Sequence, residues 1–519
     1  MKKNEVNRKT IVHPISPLYD KNSKILILGS FPSVKSREEA FFYGHPQNRF
    51  WKVLAAVLSE KVPVTVEEKK MFLKKNHIAL WDVIHSCEII GSSDSSIRNV
   101  VPNDLSSILA DGDIRQIYCN GAKSYEYFRK YLEAETGREA MKLPSTSPAN
   151  ASFSLSRLTE SWKIICGPLG VAPPGIGNVL LDWYGYHARI LPWRSDPTPY
   201  HVWISEIMLQ QTRVEAVKKY YDRWMEELPD IYALSEVSDE KLMKLWEGLG
   251  YYNRAKNLKA AAVMVVNKYG GELPGDYEKL LSLKGIGEYT AGAISSIAFG
   301  LPEPAVDGNV LRIFSRLLME EEEIGKSGVK KRITREVKRV MPQGRAGDYN
   351  QALMDLGAMI CLPNGEPLCG RCPWETVCQA HKKGKEKDFP HKAAKKKRRI
   401  EKKTVFLIEA GEKVLLHQRG ENGLLAGLWE LPNVDGEWDV ADVSCAIKKE
   451  YPADCLIEFI GEGKHIFSHV EWQMKGYRVC LNDISEKLPK KKEWVMASKK
   501  ELEEQYAVPS AFDCFKKLL

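Results

Sequence analysis

Ile25-Leu26-Ile27-Leu28 is an unbroken apolar run that stops at Gly29, the pattern of a strand buried on both faces. A similar run, IRQIYCNG, precedes SYEYFRKYLEAE, where apolar positions recur at helical spacing. Strand-like and helix-like runs keep alternating, which predicts an α/β three-layer domain over residues 1–165. A Gly/Pro-rich stretch, GPLGVAPPGIG, then predicts a joint over 166–177. Residues 178–381 carry the 3.6-residue period almost throughout and predict an all-α domain. From Thr404 the pattern turns β-rich: TVFLIEAGEKVLLHQR reads as a hairpin around Ala410-Gly411, opening an α+β domain over 404–519. No short-period repeat interrupts this order.

Composition narrows the class. The chain has 519 residues, 44% hydrophobic and 28% charged, enough for several packed domains. The first twenty residues lack the apolar centre of a signal peptide, and runs such as Ala260–Val266 are too short to span a bilayer. A soluble, cytoplasmic monomer with no membrane partner is expected, nucleoid-associated if prokaryotic. Charge is unevenly placed: residues 382–403 hold 12 Lys/Arg against 3 Asp/Glu, in a chain whose net charge is +8. That segment is a candidate basic linker able to follow a polyphosphate. The eleven cysteines include four within 18 residues, a metal-site pattern rather than a disulfide framework.

The chemistry concentrates in the helical middle. In LLSLKGIGEYTAG, Gly285 and Gly287 permit a tight turn between helices, leaving backbone N–H groups free to hold a phosphate. Asp307, in AVDGNVLRIF, is placed to cap the next helix. VWISEIMLQQT reads as an amphipathic helix, with Trp203, Ile207 and Met208 on one side and Glu206 and Gln210 on another. Cys361, Cys369, Cys372 and Cys378 follow a C-x7-C-x2-C-x5-C spacing. Four thiolates this close fit a tetrahedral zinc or an iron–sulfur cluster, and the spacing alone does not choose.

The hairpin, Asp307 and the four-cysteine loop together resemble the helix-hairpin-helix DNA glycosylases. LPWR, SEIMLQQT, GLGYYNRAKNL and VDGN resemble the MutY-type adenine glycosylases within that superfamily, over roughly 178–381. The resemblance implies a [4Fe–4S] cluster on the four cysteines, with structural zinc as the alternative. It implies Glu206 as general acid toward adenine N7 and Asp307 as the carboxylate stabilising the sugar cation, with Tyr289 and Asn309 supporting them. Gln211 and Tyr251 or Tyr252 match residues that fill the gap left by a flipped base. Superfamily lyases carry a lysine where this chain has Tyr289; with no amine to form a Schiff base, water is the expected nucleophile.

RGENGLLAGLWELPN resembles the start of a MutT-type (Nudix) domain, but that family's cluster of metal-binding carboxylates is absent from the residues that follow. Phe467-Ser468-His469 resembles the loop with which MutY proteins read 8-oxoguanine opposite adenine; a hydroxyl able to accept from the N7–H of 8-oxoguanine distinguishes it from guanine. The implied partner is duplex DNA containing adenine paired with 8-oxoguanine.

At the N-terminus, Gly29-Ser30-Phe31-Pro32, HPQNRFW and Ser145-Thr146-Ser147-Pro148-Ala149-Asn150 resemble the hypoxanthine branch of the uracil-DNA glycosylases. The usual first-motif Asp or Asn is Phe31 here, and the usual second-motif His is Ser145. Phe31 can stack on a base but cannot place water, which leaves Asn48, then Asn150, as the expected hydrolytic amide. The ordinary alternatives are that Asn48 caps the following helix, that Asn150 serves its turn, or that the whole unit only binds DNA.

Overall fold

The computed structural model describes residues 10–394, 397–450, 455–481 and 493–519. They form two compact units: Met1–Ala188 with Val306–Lys392, and Arg189–Ala305 with Ala393–Leu519. The helical stretch 178–381 is therefore divided between two bodies. The reason lies in its apolar faces, which build two separate cores. One includes Trp203, Trp224, Trp246 and Ile294; the other gathers Ile176, Phe314, Tyr349, Leu353 and Trp374.

In the first unit, four parallel strands lie in the order Ile78–Asp82, Ile25–Gly29, Gln116–Asn120, Ala140–Leu143. Period-two alternation splits the Ile25–Gly29 run between two cores. Ile25 and Ile27 face Phe50, Leu54 and Trp162, while Leu26 and Leu28 face Ile108, Ile117 and Phe128. Helices Phe50–Leu58 and Leu155–Trp162 cover one side and Ala122–Tyr131 the other, as a parallel sheet buried on both faces requires. Strand order reverses beside Ile25–Gly29. The carboxyl ends at Gly29, Asp82 and Asn120 thus meet at a switch point, the usual place for a ligand in an open α/β sheet.

The predicted joint at 166–177 is not a loose one. Cys166–Leu169 forms a short helix, and Cys166 and Leu169 enter the N-terminal core. Ala172 and Ile176 enter the core built by the helices after Val306. The Ala172 N–H donates to Glu336 (2.9 Å) and Arg339 donates to the Ala172 carbonyl. The Trp374 indole donates to the Ile176 carbonyl at 2.9 Å. The Gly/Pro content serves close packing more than bending: a β-carbon at Gly177 would lie 2.2 Å from the Val340 carbonyl oxygen.

In the second unit, helices from Arg189–Ala305 pack with a mixed sheet ordered Trp429–Glu430, Lys413–Gln418, Arg399–Ala410, Val470–Leu481, Cys455–Ile466. The Arg399–Ala410 strand begins inside the segment expected to be linker. Arg399 to Lys403 run parallel to Val470–Met474, although Ile400 is exposed and the charged Lys403 points inward, so backbone pairing rather than hydrophobic alternation extends the strand. Lys403 itself is buried, pairing with Asp435 at 2.6 Å over the Trp472 ring. Of the remaining basic stretch, residues 395 and 396 lie outside the described residues. No described helix is long and apolar enough to cross a membrane.

Gly177→Ala tests the packed joint. The substitution should cost about 1–3 kcal/mol, read as a lower urea midpoint; an unchanged midpoint would mean the joint yields freely.

Candidate active site and cysteine centre

Pro199–Leu209 starts as a helix because Thr198 caps it and Pro199 occupies the first turn. The predicted amphipathic face does not exist: Tyr200 and every residue from Val202 to Met208 are buried, and Glu206 is only 4% exposed. A carboxyl there needs partners. One is the Tyr289 hydroxyl, which donates to Glu206 Oε2 at 2.5 Å. Tyr289 stands in the first turn of Glu288–Ile297, whose cap is the extended Gly287. The preceding turn needs Gly285, at φ +80° with Asn257 packed beneath it.

Two further turns end at residues predicted to touch DNA. Gln211 and Tyr251 are both exposed and both left-handed, at φ +58° and +49°, conformations that cost energy and cluster at functional sites. Arg254 braces them: its guanidinium donates to the carbonyls of Ile207, Met208 and Gln210 on one side and Leu249 and Gly250 on the other, at 2.7–3.2 Å. Burial lowers the pKa of this guanidinium to about 10. The expected pair of tyrosines separates into two roles. Tyr251 is 49% exposed, whereas Tyr252 is buried and its hydroxyl accepts from the Gly248 N–H.

The Phe467-Ser468-His469 stretch is the tip of the hairpin joining Cys455–Ile466 to Val470–Leu481. Phe467 packs on Trp472 with ring centres 4.9 Å apart, while Ser468 and His469 are exposed. Ser468 Oγ and the Tyr251 hydroxyl lie 2.7 Å apart.

In the other unit, Asp307 caps Gly308–Leu318 by accepting from the N–H groups of Asn309 and Val310 through Oδ1, at 2.9 and 2.8 Å. Asn309 Nδ2 donates to its Oδ2 at 2.7 Å. Burial raises the Asp307 pKa, and these hydrogen bonds only partly oppose the shift. The same helix carries Arg312, which donates to the carbonyls of Gly357 and Cys361, and Arg316, which donates to Leu362 and Phe389.

All four predicted cysteines line one cavity with Arg316, Ile313, Leu317 and Trp374. Arg316 Nη1 lies 3.2 Å from Cys361 Sγ. Burial pushes the Cys369 thiol up to about 11, Cys372 to about 12, and Cys378 upward. Thiols gathered in such a place keep their protons unless a metal replaces them. Among the described residues, the ligand atoms grouped within 4.8 Å of one another are those of Cys369, His381 and Glu386.

In the N-terminal domain, Phe31 is 8% exposed beside the switch point. Asn48 does serve the next helix: its Oδ1 accepts from the Phe50 N–H at 3.0 Å. Asn150 commits both ends of its amide to its own turn, donating to the Ser145 carbonyl and accepting from Ser152. Arg49, unmarked by the sequence reading, fixes that turn by donating to the carbonyls of Ser147, Asn150 and Phe153.

Family models match three stretches: HhH-GPD superfamily base excision DNA repair protein over residues 204–339, NUDIX domain over 404–517, and uracil DNA glycosylase superfamily over 16–166. The adenine DNA glycosylase of Mus musculus is 35% identical over 361 residues, 58% of this chain and 70% of the relative. That of Arabidopsis thaliana is 38% identical over 346 residues, 56% and 55%. A solved thermostable thymine-DNA glycosylase is 30% identical over 40% of this chain and 95% of its own, with a TM-score of 0.37. The class is that of the DNA N-glycosylases of base excision repair, and DNA is the partner. Within it, the chain belongs to the adenine DNA glycosylase family.

The raised Asp307 pKa has a signed consequence. Its contribution to stability is full below the ordinary value of 3.8 and is lost as pH rises through the higher folded value. Asp307→Asn keeps a capping acceptor and removes the ionisation. The variant should melt above the parent near neutral pH, the gap closing as pH falls toward 3.8; a gap that widens in acid would refute the assignment.

Proposed function

We propose that the protein is a monofunctional glycosylase that removes adenine opposite 8-oxoguanine, with a second, N-terminal head that removes hypoxanthine or another deaminated base. The observation that carries the first part is the Tyr289–Glu206 hydrogen bond. A buried carboxyl held at Oε2 by a phenol can keep a proton and deliver it from its other oxygen to adenine N7. The protonated base departs with the glycosidic electron pair. Asp307, oriented by Asn309, stabilises the cationic sugar, and water completes the hydrolysis at C1′, leaving free adenine and an abasic site. Tyr289 offers no amine, so no Schiff base forms.

The turn at Gly285 and Gly287 would hold the DNA backbone through N–H groups. Gln211 and Tyr251, the exposed one of the two tyrosines, would enter the space vacated by the flipped base. Ser468, flanked by Phe467 and His469, would read the partner base as 8-oxoguanine. The four cysteines would hold a [4Fe–4S] cluster. The four thiols share one cavity with Arg316 and Trp374, which supports a bound metal centre, and a cluster there would cross-link the loop that bears it. In the N-terminal head, Phe31 would stack on the extruded base. Asn48 is the better of the two candidate amides, since Asn150 is spent on its turn.

Single-turnover assays on duplexes with adenine opposite 8-oxoguanine test the main assignment. Glu206→Gln should lower the rate at least ~100-fold, and borohydride should trap no protein–DNA adduct with the parent enzyme. A trapped adduct would make it a lyase. Ser468→Ala should reduce the preference for 8-oxoguanine over guanine while leaving the rate on the preferred substrate within roughly tenfold. The purified protein should be brown, absorbing near ~400 nm; a colourless protein with one bound zinc would replace the cluster.

A further inference from the structure

The Asp82 carboxylate, at the carboxyl end of its strand, lies directly over Gly29. A β-carbon at Gly29 would sit 2.1 Å from Asp82 Oδ1 and 3.2 Å from the Tyr43 hydroxyl, so the glycine makes room for both. The Tyr43 hydroxyl is fully buried and makes no hydrogen bond of good geometry, although the Asn120 side chain lies beside it, and its backbone is left-handed at φ +52°. Asp82 is 4% exposed, and among the described residues nothing donates to Oδ1, which leaves that oxygen open to a donor. A buried orphan hydroxyl is rare and calls for an explanation.

The other carboxylate oxygen is firmly held. His13 Nδ1 accepts from the Ile15 N–H at 3.1 Å; that nitrogen therefore carries no proton, and Nε2–H donates to Asp82 Oδ2 at 2.8 Å. The ring is buried and stands edge-on to Phe31, centres 5.8 Å apart. His13 precedes the stretch 16–166 matched by the family model.

An acceptor beside a donor is the complement of one chemical edge, a carbonyl next to a ring N–H. We infer that Asp82 and Tyr43 form a reader for the imide edge of a deaminated base, with His13 as the residue that positions Asp82. Tyr43 donates to O6 of hypoxanthine or O4 of uracil, and Asp82 accepts from N1–H or N3–H. Adenine and cytosine present the opposite polarity, an amino donor beside a bare ring nitrogen, and would set like against like at both contacts. Phe31 supplies the stacking surface. The assignment rests on the N-terminal head being a deaminated-base glycosylase, and it names the groups that would separate a deaminated base from its amino parent; guanine and thymine share the imide edge and must be turned away by other parts of the pocket.

The experiment uses the full chain carrying Asp307→Asn, under single turnover, on duplexes containing hypoxanthine, 1-methylhypoxanthine, uracil or adenine. Hypoxanthine should be released, and its 1-methyl derivative, which lacks the ring N–H, at least ~100-fold more slowly. Tyr43→Phe removes only an unpartnered hydroxyl; it should melt no lower than the parent yet release hypoxanthine at least ~10-fold more slowly. Asp82→Asn should raise the adenine-to-hypoxanthine ratio. His13→Ala should slow hypoxanthine release, and His13→Gln, whose amide can accept from Ile15 and donate to Asp82, should restore it. Equal rates on hypoxanthine and its 1-methyl derivative, or an unchanged base preference in Asp82→Asn and Tyr43→Phe, would overturn the reader alone. No release of any deaminated base would overturn the catalytic head and the reader with it.

Discussion

A buried guanidinium offers five N–H donors and must place most of them on acceptors, because no solvent is there to take them. Much of the active machinery hangs on this demand. Arg254 gathers carbonyls from two turns that are separate in sequence, and those turns end in Gln211 and Tyr251. Arg312 and Arg316, one helical turn apart on Gly308–Leu318, gather carbonyls from the loop that bears Cys361. The helix capped by Asp307 is thereby locked to the cysteine centre. In both units a buried cation holds strained or irregular backbone in place.

The N-terminal domain organises its polar groups differently. Satisfied contacts form the frame: Asn103 fixes the Asp82 carbonyl, His13 fixes one carboxylate oxygen, and Arg49 fixes the turn after Ser147. The orphaned Tyr43 hydroxyl and the Asp82 Oδ1, to which nothing described donates, lie together over one glycine. A satisfied frame around such atoms is how a rigid site can be kept ready for a ligand that supplies the missing hydrogen bonds.

Much of this was legible in the sequence because it follows from local pattern. The three-layer domain could be read from Ile25–Leu28, the capping of a helix by Asp307 from its place before Asn309, and the cysteine centre from spacing. Other features were not, because they depend on contacts distant in sequence. Pro199–Leu209 read as amphipathic, since helical periodicity cannot tell that both sides of the helix are covered. The choice between Tyr251 and Tyr252 turns on one left-handed residue. Arg399–Lys403 read as linker because the stretch is charged and its one apolar residue, Ile400, is exposed; the strand is set by backbone pairing with Val470–Met474. His13 and Asp82, 69 positions apart, carry no motif at all.

The seam at 166–177 ties the N-terminal domain to the helices after Val306 through buried backbone, with Trp374 set between two of the cysteines. A hinge would let the two domains lose stability independently. A seam of this kind couples them, so that damage to the cysteine loop is felt in the N-terminal domain as well, and the two sides of the seam should accept substitutions only together.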